Sequence, residues 1–161
     1  ILASRLPSGS CLIASDVSIS RILSMRQRVL KLGIPDVSLQ VVDLNQNCFI
    51  EEIFDFVLLD VPCSGLGTLS SNPDIKWRFQ KKELSRLQDY QLELLRSVFP
   101  LLKRGRELIY STCSTEEEEN EEVVMEFLQT EPQAKTLMSF EKTSPFLEGG
   151  QVFFAARIGR K

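Results

Sequence analysis

A continuous apolar run, Val57-Leu58-Leu59, closes on Asp60 and passes directly into the turn Pro62-Cys63-Ser64-Gly65-Leu66-Gly67. Because the run does not alternate, it predicts a short strand buried on both faces, as in a parallel sheet. Asp60 then stands where the strand leaves the sheet, and open α/β sheets bind ligands at the carboxyl ends of their strands. Pro62 fixes one backbone angle, while Gly65 and Gly67 permit bends and the close approach of another molecule. A second segment, Glu107-Leu108-Ile109-Tyr110-Ser111-Thr112-Cys113-Ser114, has the same form: a strand that delivers a cysteine at its exit. If the two strands are parallel and share a sheet, the thiols of Cys63 and Cys113 and the carboxylate of Asp60 converge on one cleft.

The remaining chain is organised to suit. Cys11 to Ser15 predicts a buried strand closed by Asp16, and Ser18 is placed to cap a helix that carries Ile22, Leu23, Val29 and Leu30 and stops at Gly33. Val37 to Val42 predicts another strand, ended by Asp43, and 45–52 is ambiguous between a loop and one helical turn. Val61 to Phe79 reads as a long irregular segment, and such loops inside compact domains are usually functional. Lys81 to Leu102 predicts an amphipathic helix with Leu84, Leu87, Leu94, Leu95 and Val98 on one stripe, ended by Arg104-Gly105. Thr115 with Glu118 has the spacing of a capping box for a helix that runs to about Gln129. Two closing strands, near Ala134 to Phe140 and Val152 to Arg157, have no helix between them and predict an antiparallel pair, joined through Pro145, Gly149 and Gly150. Strands alternating with helices indicate a mostly parallel sheet wound on both faces, with that pair at one end. Asp16, Asp43 and Asp60 then fall at the same edge, where ligands bind. Asp16 has the place of a ribose-binding carboxylate if one strand precedes it.

With 161 residues, 43% hydrophobic and 25% charged, the chain suits one domain spanning 1–161. There is no histidine, and the cysteines Cys11, Cys48, Cys63 and Cys113 show no C-x-x-C spacing, which argues against zinc and excludes an imidazole base. Cys11 and Cys48 read as space-filling residues, and reduced thiols imply a cytoplasmic setting. No apolar run has the length of a membrane span. A net charge of −3 is not that of a strongly basic nucleic-acid binder. The charges are segregated, however. Lys76, Arg78, Lys81, Lys82 and Arg86 cluster after the first cysteine and could meet an RNA backbone, whereas Glu116 to Glu119, Glu121 and Glu122 read as a solvated helix face. Trp77 or Phe79 could stack on a base, and a core role for Trp77 is equally open.

Asp60-Val61-Pro62-Cys63-Ser64-Gly65-Leu66-Gly67 and Tyr110-Ser111-Thr112-Cys113-Ser114, linked by Asn72-Pro73-Asp74-Ile75-Lys76-Trp77-Arg78, resemble the paired cysteine motifs of the RNA 5-methylcytosine methyltransferases, the NOL1/NOP2/Sun family with its bacterial RsmB-like rRNA enzymes. The closing Gly149 to Arg157 segment is also similar, although Gln151-Val152 replaces the usual Asp-Gly. The resemblance implies a Rossmann-like fold that uses S-adenosylmethionine, and a monomer acting on RNA, expected to be rRNA, without metal or membrane. It also implies that Cys113 forms the covalent bond to C6 of cytosine and Cys63 assists product release. Asp60 would meet the cytosine edge near N3 and lie close to the methyl donor, Asp16 the ribose and Asp43 the adenine edge. Lys76 and Arg78 are the candidate RNA contacts. The family's Pro-Gly-Gly-Lys turn would precede Ile1, so the sequence reads as a truncated catalytic domain lacking the first strand and glycine-rich loop. This chain alone is then expected to be inactive and to bind S-adenosylmethionine weakly or not at all; micromolar affinity by calorimetry would refute that. The alternative is a non-catalytic remnant of the same fold that binds RNA or protein. An amino-methylating enzyme would need Asn/Asp-Pro-Pro-Tyr/Phe in place of Asp60-Val61-Pro62-Cys63.

Overall fold

The computed structural model describes the chain apart from residues 1–5, 8, 35, 45–50, 138, 139 and 144–149. The sequence of Ile1 to Leu6 reads as the end of a helix stopped by Pro7 and Gly9; all of it but Leu6, together with Cys48 and most of the ambiguous 45–52 segment and the bends at Pro145 and Gly149, lies outside the described residues. The coordinates fall into two compact units, residues 1–46 and 47–161.

In the first unit, β1 (Leu12–Asp16) pairs in parallel with β2 (Val37–Val41), with Leu12 opposite Val37 and Asp16 opposite Val41. The crossover is α1 (Ile19–Lys31). Ser18 caps it as expected, its side chain accepting from the Arg21 N–H at 3.5 Å. The helix stops in a Schellman arrangement: Gly33, at φ +60°, donates to the Leu30 carbonyl and Ile34 to that of Val29. One expectation is corrected here. β1 is not buried: its residues alternate between exposed and half-covered, and Cys11 is exposed rather than space-filling. Two strands and one helix cannot cover both sides of a sheet, so Ile22 is the one fully buried residue among those described in this unit, and Leu30 remains 71% exposed.

The second unit holds a five-stranded sheet in the order β3-β4-β7-β5, with β6 also paired to β7. β3 (Phe54–Asp60) and β4 (Leu102–Thr112) run parallel, and β7 (Phe154–Arg160) lies antiparallel to β4, to β5 (Ala134–Thr136) and to β6 (Glu141–Lys142). This is the mixed α/β architecture expected, with its antiparallel end. The supposed long loop after β3 contains a 3-10 turn, Leu66–Thr68, and a short helix α2 (Ile75–Arg78). α3 (Glu83–Val98) buries Leu84, Leu94, Leu95 and Val98 as the stripe predicts, together with Gln91 and Leu92. It ends four residues earlier than expected. Pro100 has no N–H to continue the helical ladder, so the chain tightens into a 3-10 turn over Phe99–Leu101, and Leu102 to Gly105 belong to β4. α4 (Glu121–Thr130) packs on α3, and the Phe99 and Phe127 rings meet edge to face at 5.1 Å. Leu95, Leu102, Leu108, Phe127, Phe154 and Ile158 are sealed from solvent, each stabilising the unit by about 1.5–3 kcal/mol.

β3 departs from the two-sided burial that its apolar run suggests. Leu59 is buried, but Phe56 and Leu58 on the other face are 44% and 45% exposed. α3 and α4 pack against each other as one layer, so within this unit the second face of β3 has no cover.

Candidate functional site

The parallel pairing of β3 and β4 brings the two cysteines together. Asp60 is opposite Ser111, and the ladder continues one step with the Val61 N–H donating to the Ser111 carbonyl at 3.1 Å. Each chain then turns over the same sheet edge. Cys63 Sγ and Cys113 Sγ lie 3.1 Å apart, both half-buried and both free thiols, and the Cys113 N–H donates to Cys63 Sγ at 3.3 Å. Asp60, exposed at the same edge, accepts from the Ser111 hydroxyl at 3.2 Å. The three groups that the sequence places in one cleft are therefore neighbours.

The pair is electrostatically unequal. Hydrogen bonding from Cys63 is the main influence that lowers the Cys113 thiol to about 7, against burial and the charges of Asp60 and Glu119, which push it up. Cys63 is the more deeply buried sulfur, and its contact with Cys113 together with burial pushes its thiol well above the ordinary range. The hydrogen bond between them thus favours the proton on Cys63 and the thiolate on Cys113. Neither a helix start directly after Ser114 nor the side chain of Lys76 is among the causes. α4 begins only at Glu121, and Lys76 lies against Trp77, its Nζ 4.9 Å from the ring centre.

The turns are held by backbone. Gly65 takes φ +75°, and Ile75 of α2 packs so closely that a Cβ on Gly65 would lie 3.1 Å from its Cδ1. A Cβ on Gly67 would come within 2.2 Å of the Val152 carbonyl oxygen and 2.8 Å of that of Cys113. Gly67 donates to the Cys113 carbonyl at 2.9 Å and accepts from the Val152 N–H at 2.7 Å. The close approach anticipated at this glycine is thus made by the chain's own backbone. Gln151, where the sequence departs from the resembled motif, bonds Ser71 through Nε2 at 2.6 Å.

The acidic run is not the uniformly solvated face expected. Its capping box does not form: Thr115 donates to Glu116 at 2.8 Å, and a 3-10 turn over Glu117–Glu119 precedes α4. Glu119 turns inward and is 0% exposed, with Gln91 and Tyr110 beside it. Sequence reasoning missed Glu119, Asn120 and Gln91, yet each carries a signal. Val123 and Val124 are buried, and stepping back four positions puts Glu119 and Asn120 on the same face. Gln91 likewise lies four before Leu95.

The basic residues are all exposed: Lys76 and Arg78 on α2, Lys81 and Lys82 after it, and Arg86 on α3. Arg78 pairs with Asp74 at 2.6 Å, and Trp77 is 81% exposed, which removes the core role left open for it. In the first unit, Asp16 Oδ1 accepts from the Ser18 N–H at 2.8 Å, and its Oδ2 lies 3.4 Å from Arg21 Nη1. Asp43 follows β2 by two residues, so both carboxylates sit at the carboxyl end of this parallel pair.

Comparison with known proteins matches residues 2–152 to the family described as 16S rRNA methyltransferase RsmB/F. The ribosomal RNA small subunit methyltransferase B of Yersinia pseudotuberculosis serotype O:1b (strain IP 31758) is 38% identical over 117 residues, covering 69% of this chain and 27% of that protein. The chain spans about a quarter of the length of such curated relatives. Among solved structures, PH0851 superposes with a TM-score of 0.87 at 32% identity, over 94% of this chain and 37% of that one. NSun6 from Pyrococcus horikoshii, solved with SFG, gives 0.86 at 26% identity, over 99% of this chain and 44% of that one.

Proposed function

The chain belongs to the 16S rRNA methyltransferase RsmB/F family, and from that premise we propose that it carries out methylation at C5 of a cytosine in RNA through a covalent cysteine intermediate. The observation that carries the reading is the 3.1 Å contact between two half-buried thiols, one of them lowered to about 7, beside an exposed carboxylate. C5 of cytosine is too weak a nucleophile to take a methyl group unaided. Addition of the Cys113 thiolate at C6 makes C5 enamine-like, which is covalent catalysis by an activated sulfur. Asp60 orients the pyrimidine edge near N3. Once C5 bears the methyl group, a base takes its proton, for which the neighbouring Cys63 sulfur is placed; the C–H electron pair re-forms the C5–C6 double bond and the C6–sulfur pair returns to Cys113. Cys63, in contact with that sulfur, assists this release.

S-adenosylmethionine, when bound, supplies the electrophilic methyl group; the NSun6 relative carries SFG, an analogue of it. The residues present fit its adenosine part. Asp16 and Asp43 are carboxylates at the ends of adjacent parallel strands, with Asp16 as acceptor for the ribose and Asp43 for the adenine edge. RNA is the substrate class, consistent with the rRNA enzymes among the relatives. The target base must be unstacked to reach the thiols, and Lys76, Arg78 and the exposed Trp77 ring are suited to the flanking strand.

The test is covalent trapping. In the intact protein, Cys113→Ala is expected to abolish methylation, and Cys63→Ala to accumulate an RNA–protein adduct that survives a denaturing gel. An adduct that persists in the Cys113 variant would reverse the two roles, and methylation that survives Cys113→Ala would end the covalent reading.

A further inference from the structure

One buried carboxylate grips the residue that follows each cysteine. Glu119 Oε1 accepts from the Ser64 N–H at 2.8 Å and from Gln91 Nε2 at 3.0 Å. Its Oε2 accepts from the hydroxyls of Ser64 and Ser114, each at 2.5 Å. Ser64 follows Cys63 and Ser114 follows Cys113. The backbone around the carboxylate is fixed as well: the Tyr110 hydroxyl donates to the Glu119 carbonyl at 2.7 Å, and Asn120 Nδ2 donates to the Ser114 carbonyl at 3.0 Å.

Burying a carboxylate costs several kcal/mol unless donors replace its water, and here both oxygens are supplied. The charge does not serve the thiolate, because Glu119 acts to raise the Cys113 thiol. An acid that opposes the reactive form of its neighbour, yet ties down both turns, is placed for geometry. We propose that Glu119 is a positioning residue for the cysteine pair: by holding Ser64 and Ser114 on one carboxylate it keeps the two sulfurs in contact, and so sets the rate of the covalent steps rather than the affinity for RNA. The effect on rate rests on the reading of Cys113 and Cys63 as the reacting thiols; the effect on sulfur contact does not.

The chemistry distinguishes the variants. Glu119→Gln can still accept from Ser64 N–H and Gln91 through its oxygen, while its amide nitrogen donates to hydroxyls that rotate to accept. It should fold, with looser contacts to both serines. Ser114→Ala cuts the arm to Cys113, together with the hydroxyl's contacts to Ser64 Oγ and to the Glu116 N–H, each at 3.1 Å, and Glu119→Ala removes the clamp and is the one at risk of not folding.

Sulfur proximity is read by equilibrating the purified protein with oxidised and reduced glutathione and quantifying the Cys63–Cys113 disulfide by peptide mapping. Oxidised glutathione takes the two electrons and two protons of the thiols and leaves as two reduced glutathiones. The effective concentration of one thiol toward the other is expected to fall at least about tenfold in Glu119→Gln and in Ser114→Ala, with melting temperature little changed. In methylation assays of the intact protein kcat should fall about tenfold or more with KM for RNA unchanged. An unchanged effective concentration in both variants, or a rise in KM at constant kcat, overturns the proposal. Methylation that survives Cys113→Ala would instead remove the covalent reading and leave the glutathione result standing.

Discussion

A cysteine reacts as its thiolate, and for Cys113 the neighbouring Cys63 is the largest influence on that form. With the thiol held at about 7, alkylation of Cys113 by iodoacetamide, followed by peptide mapping, is expected to rise through a midpoint near pH 7. Below that pH the sulfur is protonated and slow; above it the rate levels off. Cys63→Ala removes the hydrogen bond that is the largest lowering influence and leaves burial and the Asp60 and Glu119 charges in place, so the midpoint should move up toward the ordinary 9.0. A midpoint that stays near 7 in that variant would mean that something other than Cys63 sustains the thiolate. That the two cysteines would come near one another was legible in their motifs, because each follows an apolar strand. Which sulfur holds the proton was not, since that depends on burial and a 3.1 Å contact made by residues 50 apart. Glu119 was hidden by its neighbours: four consecutive glutamates look alike in a sequence, and only the helical period of the valines that follow separates the inward one from the others.

Secondary-structure elements were well marked where local chemistry sets them and poorly where neighbours do. Ser18 and Gly33 bound α1 as their types require, and the α3 stripe is buried as its spacing demands. Two features depend on tertiary contact. β4 begins at Leu102 because the β3 ladder and the buried Arg160 draw this segment into the sheet; Arg160 Nη1 donates to the carbonyls of Pro100 at 2.7 Å and Leu102 at 2.6 Å. The turn at Gly67 is wedged between two backbone carbonyls, so Gly67→Ala cannot be relieved by a rotamer change and is expected to cost about 3 kcal/mol, measured by denaturant unfolding. A loss under 1 kcal/mol would show that the Val152 segment can move aside. On α2, Trp77 buries little of its own area, so Trp77→Ala should leave the melting temperature within a degree or two. Under the proposed function it should weaken RNA binding by about 1–3 kcal/mol in a filter-binding titration, the worth of one stacked base. Undiminished binding would place the flanking strand elsewhere.

At the scale of the whole molecule, the two units differ in what they bury. The second seals Leu95, Leu102, Leu108, Phe127, Phe154 and Ile158, whereas in the first only Ile22 among the described residues is buried. Amide exchange should reflect this, with β4 and β7 protected at least about 100-fold more than β1 and α1. Equal protection in both units would contradict a stability dominated by the second core. The sequence by itself determined most of the elements and the family, because strand length, cap residues and short motifs are local properties written in consecutive residues. Tertiary structure alone decided that Leu58 is half exposed, that the two sulfurs touch and that a glutamate from an acidic run lies beneath them. Burial and hydrogen bonding are settled by which distant segments come together, and a 3.6-residue period states only that a face exists, not what will cover it.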